Sequence, residues 1–289
     1  MKFPELTYAA QDDPALKRFF IQLIERLAGR DYFVPIYEIW RSQYFGKEAP
    51  VIRPALELIR VELEISSGIW PPRIDPSSPV IIVSNHPFGI LDGLAALALA
   101  EELGRPFKVL INKDLTKIPE IRHYSLPVDF SGTRQAQIVN LATRKKALEL
   151  LGQGETIVVF PSGGVATSPT TFGRAVDLPW KPFTARMVQS ARAQVIPLYF
   201  EGQCSPLFHF VSKFSPILRQ SLIIRELRNQ VGRPLRVHIG ETIPYDALQS
   251  QGNRKALMNF LSTRVHSMAD IPVSVIHQRA QKLPAWLQG

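Results

Sequence analysis

Cysteine is nearly absent: the 289-residue chain has one, Cys204, so no internal disulfide framework is possible, and no Cys/His cluster carries zinc-site spacing. That usage fits a reducing cytoplasm. Long hydrophobic runs are missing as well. The longest candidates, such as LAALALA at 94–100, fall short of the ~20 apolar residues of a membrane helix, which argues against a spanning segment. The opening MKFPELTYAAQDDPALKRFF lacks the basic start, continuous apolar stretch and small-residue cleavage site of a secretory leader, and reads as mature protein. Internal repeats and low-complexity segments are also lacking.

What is present is an ordinary globular composition, 45% hydrophobic and 20% charged, with a formal net charge of +9. By charge alone, phosphate-bearing substrates, acidic carrier proteins, anionic lipid surfaces and nucleic acid all qualify as partners. The basic residues are spread along the chain with no RNA-binding aromatic motif or DNA-reading signature, so nucleic acid is not expected.

Asp13-Pro14, then apolar Leu16, Phe19, Phe20, Leu23, Ile24 and Leu27, then Gly29, predicts a short amphipathic helix. Its polar side carries Lys17, Arg18 and Arg26, so it could lie on a membrane surface or pack on the domain. A second helix is expected over about 54–65, followed by a proline-rich connector from Trp70 to Pro79. Strands at 80–84, 107–111, 156–160 and 194–200 then alternate with helices near 92–103, 136–151 and 181–193. A further strand at 235–239 and a helix near 254–266 complete the pattern. The expected fold is α/β, a mixed, largely parallel sheet flanked by helices, with an N-terminal helical segment over 1–75 and an α/β domain over 76–289.

Ligands of open α/β sheets sit beyond the carboxyl ends of strands, which directs attention to the residues just past strands 80–84 and 156–160. The first stretch, VIIVSNHPFGILDG, ends an apolar strand in Asn85-His86 and places Asp92 six residues after the histidine. On one continuous helix six steps would turn roughly 240°, so the two side chains meet only if Pro87 and Gly89 bend the chain. If they meet, the carboxylate fixes one imidazole nitrogen and leaves the other as a base; otherwise Asp92 is a helix cap. The second, Phe160-Pro161-Ser162-Gly163-Gly164, is either a tight turn or a place where backbone N–H groups converge on an anion or oxyanion. Lys113, past strand 107–111, and Arg134, in the loop SGTR, suit a phosphate or carboxylate group. Cys204 has no marked partner and reads as packing, and His123, His209, His238, His266 and His277 form no metal-ligand pattern, so no metal or cofactor is expected.

Together these pieces resemble the lysophospholipid acyltransferase family, whose best-known member acylates 1-acylglycerol-3-phosphate. Its four ordered motifs are matched here by Asn85-His86 to Asp92, by Val128 to Arg134, by Phe160 to Gly164, and by Val195-Ile196-Pro197-Leu198. Two features depart from the usual pattern: five residues, not four, separate His86 from Asp92, and Ser162 and Gly164 stand where Glu and Thr are usual. Both departures resemble the bacterial branch of hemolysin-type and ornithine-lipid-type acyltransferases.

The resemblance implies transfer of a fatty acyl group from acyl-CoA or acyl-carrier protein, as co-substrate, to the hydroxyl of a lysolipid. His86 would be the general base oriented by Asp92, and Asn85, Lys113, Arg134, Ser162, Gly163 and Gly164 would serve substrate or phosphate binding. An anionic membrane surface is the expected partner, and the expected location is cytoplasmic, peripheral on the inner face of the membrane. A thioesterase or lipid hydrolase using the same base, and an inactive basic membrane-binding relative, remain open at the level of sequence. No Gly-x-Ser-x-Gly elbow supports a serine hydrolase.

Overall fold

The computed structural model describes residues 3–7, 9, 13–47, 50–271, 274, 275, 278 and 281–284. Helices α1 (Ala15–Leu27), α2 (Arg30–Gln43) and α3 (Arg53–Leu58) lead into strands β1 (Leu63–Ser67) and β2 (Val80–Ser84). Then come α4 (Ile90–Glu102), β3 (Phe107–Asn112), α5 (Pro119–Arg122), β4 (Ser125–Val128), α6 (Arg134–Gly152), β5 (Thr156–Val159) and α7 (Phe183–Ala191). The chain continues through β6 (Gln194–Phe200), α8 (Pro206–Val211), α9 (Pro216–Gln230), β7 (Leu235–Ile239), α10 (Tyr245–Gln249) and α11 (Arg254–Ser267).

The strands form one seven-stranded sheet in the order β1-β7-β6-β2-β5-β3-β4, parallel except where β6 meets β7. The mixed, mostly parallel α/β fold is the one expected. Strand β2 lies at its centre, every residue buried, because VIIVS is apolar on both pleat faces. Its even-numbered residues Val80 and Ile82 pack in one core with α3, α4 and α9; odd-numbered Ile81 and Val83 pack in the other with α6, α7 and α11.

Several elements differ from expectation for local reasons. The helix expected over 54–65 stops at Leu58: Arg60 takes a left-handed φ of 55°, and the chain re-enters the sheet as β1. Ile59, Val61, Leu63 and Ile65 recur every second residue, a strand period laid over the end of a helical one. Strand β4, SLPV, escapes a propensity reading because of Pro127; it is an edge strand, where a missing N–H costs little. Helix α2 contains Pro35, which breaks the sequence signal.

Helix α1 is inverted. Ile21 and Glu25 face the protein, while Leu16, Phe19, Phe20, Leu23 and Leu27 are exposed, Leu27 at 80%. Most of its apolar stripe therefore does not pack on the domain.

Candidate active site

Register sets the site. Val83 of β2 pairs with Val159 of β5, so the residues just past both strands emerge side by side. The rings of His86 and Phe160 stack with centroids 4.2 Å apart and an interplanar angle of 28°. After His86, Gly89 adopts φ 88°, a conformation open to glycine, and caps α4. A Cβ at this position would come 3.0 Å from Val165 Cγ2. This bend brings Asp92, in the first turn of α4, back to the histidine: Asp92 Oδ2 hydrogen-bonds His86 Nδ1. The other oxygen, Oδ1, accepts the Phe88 N–H at 2.8 Å, so one carboxylate both orients the ring and serves an unpaired donor at the helix start. Asp92 is fully buried.

The His86 backbone is clamped as well. Its N–H donates to Asp177 Oδ1 at 3.1 Å, and its carbonyl accepts the Ala166 N–H at 2.7 Å. Asp177 is itself buried and accepts the Trp180 indole N–H at 3.0 Å; burial pushes its carboxyl above the usual carboxylate range, opposed by His266 3.7 Å away. Arg219 secures the neighbouring loop through Val165 O and Thr167 Oγ1, both at 2.6 Å; burial lowers its pKa to about 10. Beneath the turn, the Cys204 thiol donates to Pro87 O at 3.3 Å and is raised by burial, which suits packing rather than a thiolate nucleophile. With Nδ1 held by a carboxylate, which can only accept, Nε2 is the lone-pair nitrogen. An imidazole held this way can take a proton from a hydroxyl placed against Nε2.

The other expected residues divide into two groups. Asn85 does not present its amide to a ligand: Nδ2 donates to Phe200 O at 2.8 Å, and Oδ1 accepts the Phe200 N–H at 2.7 Å, tying β2 to β6. Lys113 donates to Asp129 Oδ2 at 2.7 Å, an ion pair that lowers the Asp129 pKa and raises that of Lys113. Its charge is thereby neutralised within the protein. In the turn after β5, the Gly163 N–H is spent on Phe160 O at 2.9 Å, and Ser162 Oγ donates to Gly164 O at 3.0 Å. No acceptor among the described residues takes the N–H of Ser162 or Gly164. Arg134 is exposed at the first position of α6, without an ion-pair partner among the described residues.

Two contributors escaped the sequence reading. Asp177 sits in the stretch AVDLPW, where a carboxylate inside an apolar run was the available signal. Lys181 comes just after it; its N–H donates to Pro161 O at 2.9 Å, and its Nζ stands 5.5 Å from the centroid of the Phe130 ring. Among the described residues no group of three or more His, Cys, Asp or Glu side chains could hold a metal ion; His277 lies outside them.

A protein similar to this chain is the lyso-glycine lipid O-acyltransferase of Phocaeicola vulgatus, 28% identical over 129 residues. That match covers 44% of this chain and 43% of the relative, less than half the length of either. The crystal structure of the 1-acyl-sn-glycerophosphate (LPA) acyltransferase PlsC from Thermotoga maritima aligns over 88% of this chain and 95% of its own, at 14% identity and a TM-score of 0.49. The family described as acyltransferase matches residues 61–270, a span that holds the whole sheet and the residues around His86. This chain belongs to the acyltransferase family.

Proposed function

We propose that the protein is a lysolipid O-acyltransferase that moves a fatty acyl group from acyl-CoA or acyl-carrier protein to a hydroxyl of its acceptor, with His86 as general base. The observation that carries this reading is the His86–Asp92 contact, which leaves Nε2 available while Asp177 and Ala166 fix the backbone. Nε2 takes the hydroxyl proton as the acceptor oxygen attacks the thioester carbonyl carbon. The tetrahedral adduct collapses by expelling the thiolate, which recovers the proton from His86, so no acyl-enzyme forms. The N–H groups of Ser162 and Gly164 are the candidate donors to the oxyanion; Gly163, whose N–H is used within the turn, is not. The named function of the P. vulgatus relative supports a lyso-amino-acid lipid as acceptor.

The helical segment 1–75 is proposed as the membrane-facing part and 76–289 as the part that carries the chemistry, although β1 joins the sheet from the first. Among the described residues no helix is long and apolar enough to cross a membrane. The exposed apolar face of α1, with Lys17, Arg18 and Arg26 on the same helix, supports peripheral binding to an anionic lipid surface, which we place on the cytoplasmic side as part of the same proposal.

The decisive experiment incubates labelled acyl thioester with a panel of lysolipids and analyses the products by mass spectrometry. His86→Ala, shown to be folded, should lose on the order of 100-fold or more in transfer. Transfer at the wild-type rate by that variant would end the base assignment, and free fatty acid with no acylated lipid would replace transfer by hydrolysis.

A further inference from the structure

Lys181 is a basic side chain at the site that belongs to none of the four motifs. It precedes α7 and reaches the turn after β5, where a Cβ on Gly163 would meet Phe130 Cε1 at 3.5 Å and Lys181 Cε at 3.6 Å. Gly163 takes φ 71°, and its missing side chain leaves room for the ring and the lysine stem over the turn. Lys181 reaches solvent, yet the atoms packed around it hold its pKa below the usual lysine value. Among the described residues it has no carboxylate partner.

Lys113 differs in this respect. Asp129 cancels the charge of Lys113, whereas an aromatic face orients an ammonium without neutralising it. Lys181 thus has no carboxylate among the described residues to offset its ammonium before a substrate arrives. The turn it overhangs is continuous with Phe160, the residue stacked on His86, so the lysine and the proposed base border the same strand end.

We infer that Lys181, seated on Phe130 above the Gly163 turn, binds the anionic head group of the acceptor, and that this seat suits a singly charged carboxylate better than a phosphate dianion. The inference rests on the acyltransferase reading above. One ammonium matches one negative charge, while a phosphate calls for several cationic or N–H donors, and the free N–H groups of the turn, Ser162 and Gly164, are assigned to the oxyanion in the proposed mechanism.

The test uses the full-length protein. N-palmitoylglycine has the carboxylate but no acceptor hydroxyl, and should inhibit competitively against the acceptor, with its neutral glycinamide counterpart much weaker. Lys181→Met should weaken that inhibition and raise the acceptor KM by roughly ten- to a hundredfold, the range of one charge-assisted hydrogen bond. The acyl-donor KM and kcat should stay within a few-fold, and Lys181→Arg should restore most of the loss.

An unchanged acceptor KM in Lys181→Met, a rise confined to the donor KM, or a wild-type preference for 1-acylglycerol-3-phosphate over N-(3-hydroxyacyl)glycine would each overturn the inference. The general-base reading fails separately, through active His86→Ala. Circular dichroism and the thermal midpoint of each variant exclude unfolding as the cause.

Discussion

The Asp177 carboxylate accepts the His86 backbone N–H, and that contact makes it a positioning residue in the proposed mechanism. Asp177→Ala would strand two buried donors, the His86 N–H and the Trp180 indole, at about 1–3 kcal/mol each. The expected result is a lower thermal midpoint together with a kcat reduced at least tenfold and an acceptor KM little changed. Asp177→Asn, which keeps one acceptor oxygen, should fall between. A variant with a lowered midpoint and unaltered kcat would show that the contact serves stability alone. The His86–Asp92 contact was legible in the sequence because it is local and one bend decides it. Asp177 and Lys181 were not, since they lie in a stretch with no helical or strand period and reach the site only through tertiary folding.

At the scale of elements, the site depends on the turn between β2 and α4. The spacer of five residues between His86 and Asp92 is accommodated because Gly89 takes a left-handed φ and α4 starts one residue later, swinging Asp92 back by one helical turn. Gly89→Ala would meet both the strained φ and the 3.0 Å approach to Val165. The expected cost is about 1–3 kcal/mol of stability, with a larger proportional loss in transfer than in donor binding. Equal losses in both would place the damage in the fold rather than in the dyad. The central strands were readable from their apolar runs, and their flanking helices from 3.6-residue periods. The edges were not: β1 shares its residues with a helical pattern, and β4 carries a proline that only an edge position tolerates.

For the molecule as a whole, the formal charge of +9 is not focused by Lys113, which its carboxylate partner neutralises. The apolar surface is more concentrated. Helix α1 packs on α9, and α8, α9 and the turn between them add exposed Phe210, Phe214 and Ile217. Exposed apolar side chains on elements that pack together suit a contact face. Phe19→Ser with Leu27→Ser should weaken binding to vesicles of phosphatidylglycerol and phosphatidylethanolamine at least tenfold, since each side chain contributes about 1.5–3 kcal/mol when buried in lipid. The thermal midpoint should not move, because both residues are exposed. Vesicle binding that vanishes in high salt but survives this double substitution would assign the interaction to charge instead.

The clamp on His86 also implies an expected order of events during folding. Asp92 reaches the histidine from six residues away, whereas Asp177 comes from 91 residues away. Loop closure over the longer distance waits on the central sheet, so the dyad can meet early while its backbone is held only once β5 and the segment after it have docked on β2. In a refolding chain, recovery of the proposed acyl transfer would then report the last long-range closure rather than the first compact state.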